Sequence, residues 1–463
     1  MALIKSISGI RGTIGGTAGD NLTPQDIVAS TAGFATMLLK KYKSPTVVIG
    51  RDARISGALV NQLVCGTLQM MGINVVDLGL STTPTVEIAV VKEGAHAGII
   101  LTASHNPKQW NALKLLNKKG EFISAKDGQT ILDIIERGEI TYAAVDKLGT
   151  YRQDDTYINQ HIADVLAMPL VNVEHVRSKG FKVVVDCINS TGALAIPPLL
   201  EQLGCEVILL NEEITGDFAH NPEPLPAHLR ALSQAVTTSR AHLGISVDPD
   251  VDRLAFVCED GEMFGEEYTL VAVADYILKH RGGDTVSNLS STRALRDVTE
   301  KHGGTYHASA VGEVNVVTKM KEVNAVIGGE GNGGIIYPDA HYGRDAIVGI
   351  ALFLSHLADF GKPVSFLRST YPQYTISKNK IQLTPDIDID YLLARLKDKY
   401  KMYELNTIDG LKIEIDKDWI HLRRSNTEPI IRIYSESNSK TVADNLARKI
   451  QQDVHEILKG AQV

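Results

Sequence analysis

The chain has 463 residues, of which 44% are hydrophobic and 22% charged, and a formal net charge of -8. A prior of roughly 100–200 residues per domain predicts three or four packed units, and the composition is that of a globular protein. No surplus of Lys and Arg is left for phosphate backbones, so nucleic acid is excluded as an expected partner.

The start, "MALIKSISGIRG", has no long apolar core of the signal-peptide kind, and the longest apolar helix candidate, "AIVGIALFLSHLA", is too short to span a bilayer. Neither secretion nor a membrane partner is expected. Cys65, Cys187, Cys205 and Cys258 lack CxxC spacing, and three of them lie in apolar or near-apolar runs. Reduced, buried thiols and a cytoplasmic location are therefore predicted.

Along the chain, short β-branched runs alternate with amphipathic stretches. "PTVVIGRD" precedes "GALVNQLVCGTLQMMG", "INVVDLGL" precedes "PTVEIAVVKEG", and "HAGIILTASHNP" follows. "FKVVVDCINS" then leads through "TGALAIPPLLEQLG" to "CEVILL". A third round follows the acidic "HLGISVDPDVDRLAFVCEDGEMFGEE", with helix-like "YTLVAVADYILKH" and strand-like "DTVSNL", "GTYHAS" and "NAVIGG". This alternation predicts an α/β fold of three related units with mainly parallel sheets. Beyond about residue 370, "GLKIEID", "DWIHLRRS" and "IIRIYSES" read as short strands before a final helix, a smaller α+β domain. The expected domains are 1–150, 151–255, 256–369 and 370–463.

Four polar stretches carry candidate chemistry. "VDPDVDR" sets Asp248, Asp250 and Asp252 at alternate positions after a strand, where their carboxylates can converge on a hard divalent ion such as Mg2+. An EF-hand is rejected, because Arg253 stands where the loop needs Gly and strands flank it. The alternative is a solvated acidic turn, which leaves three clustered carboxylates uncompensated. "GGEGNGG" contains GxGxxG after a strand, but the Pro and Gly of "IIYPDAHYG" stand where a dinucleotide fingerprint needs a helix. It reads better as a loop presenting Glu330 and Asn332, or as a plain glycine turn.

"RRSNTEPIIR" gathers hydroxyl, amide and guanidinium groups suited to a phosphate, although Ser-Asn-Thr clusters also make ordinary turns. "TASHNP" places Ser104 beside His105. A hydrolase triad is tempting, but the GxSxG elbow is absent, and adjacency does not make a hydroxyl–imidazole bond. A capping Ser is the other reading.

Together these stretches resemble the α-D-phosphohexomutase family of phosphoglucomutases, phosphomannomutases and phosphoglucosamine mutases. "TASHNP" is similar to its phosphoserine loop, "DPDVDR" to its magnesium loop, "GEGNGG" to its sugar loop and "RRSNTEP" to its phosphate-binding loop, in order over essentially the whole chain. "GIRG", "GRDARISG" and "HNPEP" add to the likeness. The resemblance implies three related mixed α/β domains plus a C-terminal α+β domain, heart-shaped around a central cleft. It implies Ser104 as the phosphorylated residue and a metal ligand, with Asp248, Asp250 and Asp252 as the other ligands and Arg253 as a phosphate contact. Arg11 and Lys114 complete the cluster, with Lys114 the general acid/base and His105 a neighbour. Glu330 and Asn332 read sugar hydroxyls, and Arg423, Ser425, Asn426 and Thr427 grip the non-reacting phosphate. Mg2+ and a hexose 1,6-bisphosphate intermediate and activator are implied, as are a hexose phosphate substrate and a monomer or homodimer.

The wording of "GEGNGG" and "RRSNTEP" is most similar to archaeal-type phosphoglucosamine mutases, with phosphomannomutase/phosphoglucomutase as the alternative. Other classes are an NAD-dependent oxidoreductase, which requires a helix after Gly334, and a non-catalytic sugar-phosphate binder, which would keep the phosphate-grip loop but lose the serine or the carboxylates, all of which this chain retains. Four positions depart from the family pattern: "NALK" replaces "NGxK", Asn332 a Ser, Gly334 a His in many members, and Arg424 a Pro.

Overall fold

A computed structural model describes residues 3–6, 9–383, 387–425 and 430–460. The chain forms two compact units, one running to Tyr276 and including Asn332–Leu367, the other made of Ile277–Gly331 and the chain from Arg368 onward.

The first unit contains a seven-stranded sheet whose central strands are Ala97–Leu101 and Thr46–Arg51. These two are parallel, and each is apolar nearly throughout because both sheet faces are covered. Alternation sorts their side chains: Val47, Ile49, Ile99 and Leu101 join the core with Phe34 and Val64, while Val48 and Ile100 join Val86 and Val90. The helix Pro24–Lys41 starts where Thr23 and Asp26 form a reciprocal capping box with Pro at the first turn.

The sheet is more mixed than mainly parallel. Ala97–Leu101 pairs antiparallel with Trp110–Asn117, which pairs antiparallel with Gly9–Thr13. "TASHNP" is therefore the connection of an antiparallel pair, not a strand-to-helix turn. A connection of only eight residues, 102–109, has no room for the crossover that parallel strands need.

A second, four-stranded sheet has the order Leu254–Cys258, Leu243–Val247, Lys182–Asp186, Glu206–Leu210, with only the first pair antiparallel. The acidic stretch is the short link of that antiparallel pair. Phe353, on the helix Ala346–Phe360, stacks on Phe256 at 3.8 Å between ring centres and meets Phe264 edge-on, fixing the helix against this sheet. Cys65, Cys187 and Cys258 are buried, Cys205 is half-buried, and all four are free thiols.

In the second unit, Thr285–Asn288 pairs parallel with Tyr306–Ser309 and with Ile327–Glu330. A separate five-stranded antiparallel sheet has the order Thr375–Gln382, Ile430–Ser437, Asp418–Arg424, Leu411–Ile415, Glu404–Asn406. Ile413, Ile420, Leu422, Ile431 and Ile433 form its buried face against Leu392, Leu396, Ile450 and Val454 of the two long helices. No helix among the described residues is long and apolar enough to cross a membrane.

Candidate active site

The serine loop is held by side chains from the preceding strand–helix turn. Arg54 is buried and ion-paired with Asp52 at 3.0 Å, and its guanidinium donates to the carbonyls of Ser104, Asn106, Pro107 and Trp110. Thr102 Oγ1 donates to Asp52 Oδ2 at 2.6 Å and accepts from Ser104 N at 2.9 Å. So constrained, Ser104 takes a left-handed φ of 50°, a conformation that costs a non-Gly residue and persists only when its surroundings over-determine it.

Removing the Arg54 fork leaves those carbonyls and a buried carboxylate without their partner. Arg54→Met is expected to cost about 3–5 kcal/mol of stability, read as a lowered Tm, and to reduce kcat. Arg54→Lys, which keeps the charge without the fork, should recover only part of either. A melting curve and kcat equal to wild type for Arg54→Met would contradict the clasp.

The acidic loop is equally constrained. Val251 has φ 62°, unusual for a β-branched residue, and is fully buried, with its N–H donating to Asp248 O. The carbonyl of Pro249 accepts from Ser190 and Thr191 hydroxyls at 2.7 and 2.8 Å. Asp248 Oδ1 accepts the N–H groups of Asp252 and Arg253, both at 3.1 Å.

The two loops meet. Ser104 Oγ donates to Asp248 Oδ2 at 2.7 Å, whereas His105 Nδ1 lies 3.4 Å away. The serine is thus directed at a carboxylate rather than an imidazole base. Lys114 Nζ donates to Asp250 Oδ2 at 2.8 Å and approaches Asp252 Oδ2 at 3.5 Å. Thr83 Oγ1 donates to Asp250 Oδ2 at 2.6 Å, and Arg344 donates to Asp252 Oδ2 at 2.7 Å. Arg11 lies one strand away from Lys114 and donates to Asn106 Oδ1 at 3.0 Å. Arg253 Nε is 4.0 Å from carboxylate oxygens of both Asp248 and Asp252, and its Nη1 is 3.7 Å from Glu223 of "HNPEP".

Burial and the unequal distribution of cations push these groups apart. Burial, with Asp250 and Asp252 as neighbours, holds the Asp248 carboxyl well above its usual range. Burial acts the same way on Asp252, but Arg344, Lys114 and Arg253 outweigh it and hold that carboxyl low. Burial opposes the charge on Lys114, yet Asp250 and Asp252 raise its pKa. Burial, then Arg253 and Arg11, lowers His105, leaving it a neutral imidazole.

The three aspartates are fully buried, and one oxygen from each lies within 4.8 Å of the others. Asp250 Oδ1 and Asp252 Oδ1 have no hydrogen-bond partner. Buried, unpartnered carboxylate oxygens beside a serine hydroxyl form a hard oxygen-donor set, and the group fits a divalent cation.

The other predicted residues are distributed between the two units. In the first, Asn332 Oδ1 accepts from Gly334 N at 3.2 Å, and Gly333 has φ 84° with no room for a Cβ against Leu254 O. Gly334–Ile336 is a strand and the next helix begins at Ala346, so the helix an NAD fingerprint needs is absent there. In the second unit, Glu330 is buried at the end of its strand and accepts from Asn288 Nδ2 at 2.9 Å and Gly312 N at 3.2 Å. Arg423 sits opposite Arg432 on the adjacent strand, and burial followed by the charge of Arg432 lowers its pKa. Ser425 is buried, and its N–H donates to Ile430 O at 2.9 Å. Asn426 and Thr427 lie outside the described residues.

Nothing in the sequence pattern alone marks Arg54, Asp52, Thr83 or Arg344 as part of a site. Arg54 and Asp52 lie inside "GRDARISG", where the signal was an acid and a base two residues apart just after a strand. Thr83 lies in a Thr-Pro helix start and Arg344 immediately precedes a helix-capping Asp, local features that explain themselves without a site.

This is the architecture and chemistry of a phosphoryl-transfer enzyme, and comparison with known proteins gives its family. Models of the phosphoglucomutase/phosphomannomutase α/β/α domains I, II and III match residues 3–141, 155–261 and 265–374, and that of the C-terminal domain matches 384–452. A probable phosphoglucosamine mutase of Methanopyrus kandleri is 34% identical over 95% of this chain and 95% of its own length. A phosphoglucomutase/phosphomannomutase of Thermococcus kodakarensis is 33% identical, covering 97% of this chain and 99% of its own. The crystal structure of a phosphoglucomutase/phosphomannomutase family protein from Burkholderia thailandensis superposes with a TM-score of 0.82 at 26% identity, over 99% of this chain and 97% of its own. The chain belongs to the phosphoglucomutase/phosphomannomutase family, the α-D-phosphohexomutases, with three α/β domains and a C-terminal domain.

Proposed function

We propose that this phosphohexomutase interconverts glucosamine 6-phosphate and glucosamine 1-phosphate through a phosphorylated Ser104. The observation that carries the reading is the hydroxyl of Ser104, held 2.7 Å from Asp248 among three buried carboxylates and the cation of Lys114. In the first step the bond between phosphorus and Ser104 Oγ breaks, and a new one forms to the free hydroxyl of the sugar phosphate. The hydroxyl proton leaves to a nearby base, and Ser104 Oγ regains a proton. The resulting 1,6-bisphosphate then returns its other phosphoryl group to Ser104, so the net change is a swap of ends.

The chain's charges suit that chemistry. A phosphoserine carries about -1.5 to -2 at neutral pH, and three aspartates surround it. Lys114, Arg11 and Arg253 supply compensation, and phosphoryl transfer needs positioning and charge neutralisation above all. Mg2+, bound by Asp248, Asp250, Asp252 and the Ser104 side chain, would neutralise charge on the transferring group. In the same reading Lys114 holds or moves the proton, and His105 stands beside the serine. Glu330 and Asn332 address sugar hydroxyls, while Arg423, Ser425, Asn426 and Thr427 hold the phosphate that is not reacting.

The amino-sugar preference rests on the M. kandleri relative; the similarly close T. kodakarensis relative supports the second reading, phosphoglucomutase/phosphomannomutase. The test is kcat/KM for glucosamine, mannose and glucose 6-phosphates side by side, with the matching bisphosphate present. The highest value is expected for glucosamine 6-phosphate, and a higher value for mannose or glucose selects the second reading.

A further inference from the structure

We propose that Arg344 is a positioning residue of the phosphoryl-transfer site and that glycine at 334 provides the room its side chain needs to reach Asp252. The proposal rests on the phosphoryl-transfer reading of the serine and acidic loops.

The backbone at Arg344 is fixed on both sides. It bridges Ile336 of the strand Gly334–Ile336, and the N–H of the next residue, Asp345, donates to Ile335 O at 2.8 Å. Asp345 in turn caps the helix Ala346–Phe360 by accepting from Ile347 N at 2.8 Å and Val348 N at 3.2 Å. The same carboxylate is bonded to His161 and His341 at 2.9 and 3.0 Å, so the root of the Arg344 side chain is held in a buried network.

From that root the guanidinium reaches Asp252 Oδ2 at 2.7 Å, the oxygen that Lys114 also approaches. Two cations on one oxygen turn the carboxylate, leaving Asp252 Oδ1 buried without a hydrogen-bond partner, 4.0 Å from Arg253 Nε and available to a cation. Groups that orient a ligating carboxylate in this way commonly tune the site as strongly as the ligands do.

The path of the side chain explains the glycine. Gly334 is not among the residues with positive φ, so its backbone conformation does not demand glycine. Space does: a Cβ at 334 would lie 2.3 Å from Arg344 Cδ and 3.1 Å from its Cγ. Those are mid-chain atoms, and making room for a methyl group moves the whole guanidinium off Asp252. Where many members of the family have a His at this position, this chain places the stem of an arginine.

Cation binding provides a readout independent of turnover. Mn2+ affinity is measured by electron paramagnetic resonance on the full-length, dephosphorylated wild type, Gly334→Ala, Arg344→Ala and the double variant, with circular dichroism to confirm folding. Each single change is expected to weaken Mn2+ binding by about 10-fold. The double variant should bind no more weakly than Arg344→Ala alone, because truncation leaves room for the new Cβ and the two effects share one route. Wild type that binds Mn2+ while Arg344→Ala binds equally or more tightly, or losses that add in the double variant, overturns the assignment alone. A wild type that fails to bind Mn2+ overturns both the assignment and the reading of the acidic loop.

Discussion

Ser104→Ala is expected to lower kcat by at least about 10^4-fold, as loss of a nucleophile does when no neighbour can replace it. No neighbour is placed to take the phosphoryl group in its stead: His105 Nδ1 stands 3.4 Å from Ser104 Oγ, and Asp248, whose Oδ2 accepts from that hydroxyl, is assigned to the proposed cation site. The change removes one hydroxyl hydrogen bond and leaves the Arg54 clasp intact, so Tm should move little. Sugar-phosphate affinity should also persist, since the proposed grip of Arg423 and Ser425 is untouched. Activity within tenfold of wild type for Ser104→Ala would contradict a covalent route.

The second large effect concerns Asp250. Its Oδ2 already accepts from Lys114 and Thr83, while Oδ1 is buried and unpartnered. Asp250→Asn keeps the shape, removes one negative charge from the proposed cation site and replaces an acceptor by a donor in one orientation. Expected is a kcat loss of at least about 100-fold, beyond what removal of an orienting partner alone causes. Thermal unfolding supplies the independent measure. Mg2+ at about 100 times its Kd should stabilise the wild type by about 2.7 kcal/mol, and chelator should reverse this. Asp250→Asn should show almost none of the shift. A Mg2+-induced rise in Tm equal to wild type would place the cation elsewhere.

The acidic cluster of the candidate site was legible because its loop is contiguous in sequence. Alternating aspartates after a strand announce convergent carboxylates whatever the rest of the fold does, and Asp248, Asp250 and Asp252 do converge. The α/β units were legible for a similar reason: strands buried on both faces must be apolar almost throughout, as Ala97–Leu101 and Leu254–Cys258 are. What escaped were partnerships made by the fold. Thr83 reaches Asp250 across 167 positions and Arg344 reaches Asp252 across 92. Neither separation leaves a periodic trace, and both residues have local roles near helix starts that account for them. The antiparallel pairing around Ser104 escaped because apolar runs look alike whichever way they pair. Arg54 was in view as part of a motif, but that it gathers three carbonyls of the serine loop and that of Trp110 just beyond it is a product of the fold.

Ser104 as carrier of the phosphoryl group during turnover is tested by following the phosphate itself. Full-length protein is loaded with glucosamine 1,6-bisphosphate bearing radiolabelled phosphate, digested for peptide mapping, and in parallel chased with unlabelled glucosamine 6-phosphate in a rapid-quench series. One phosphate is expected on the peptide containing Ser104, leaving for the sugar at least as fast as kcat. Steady turnover with no label on that peptide, or label that leaves more slowly than the enzyme turns over, would contradict it.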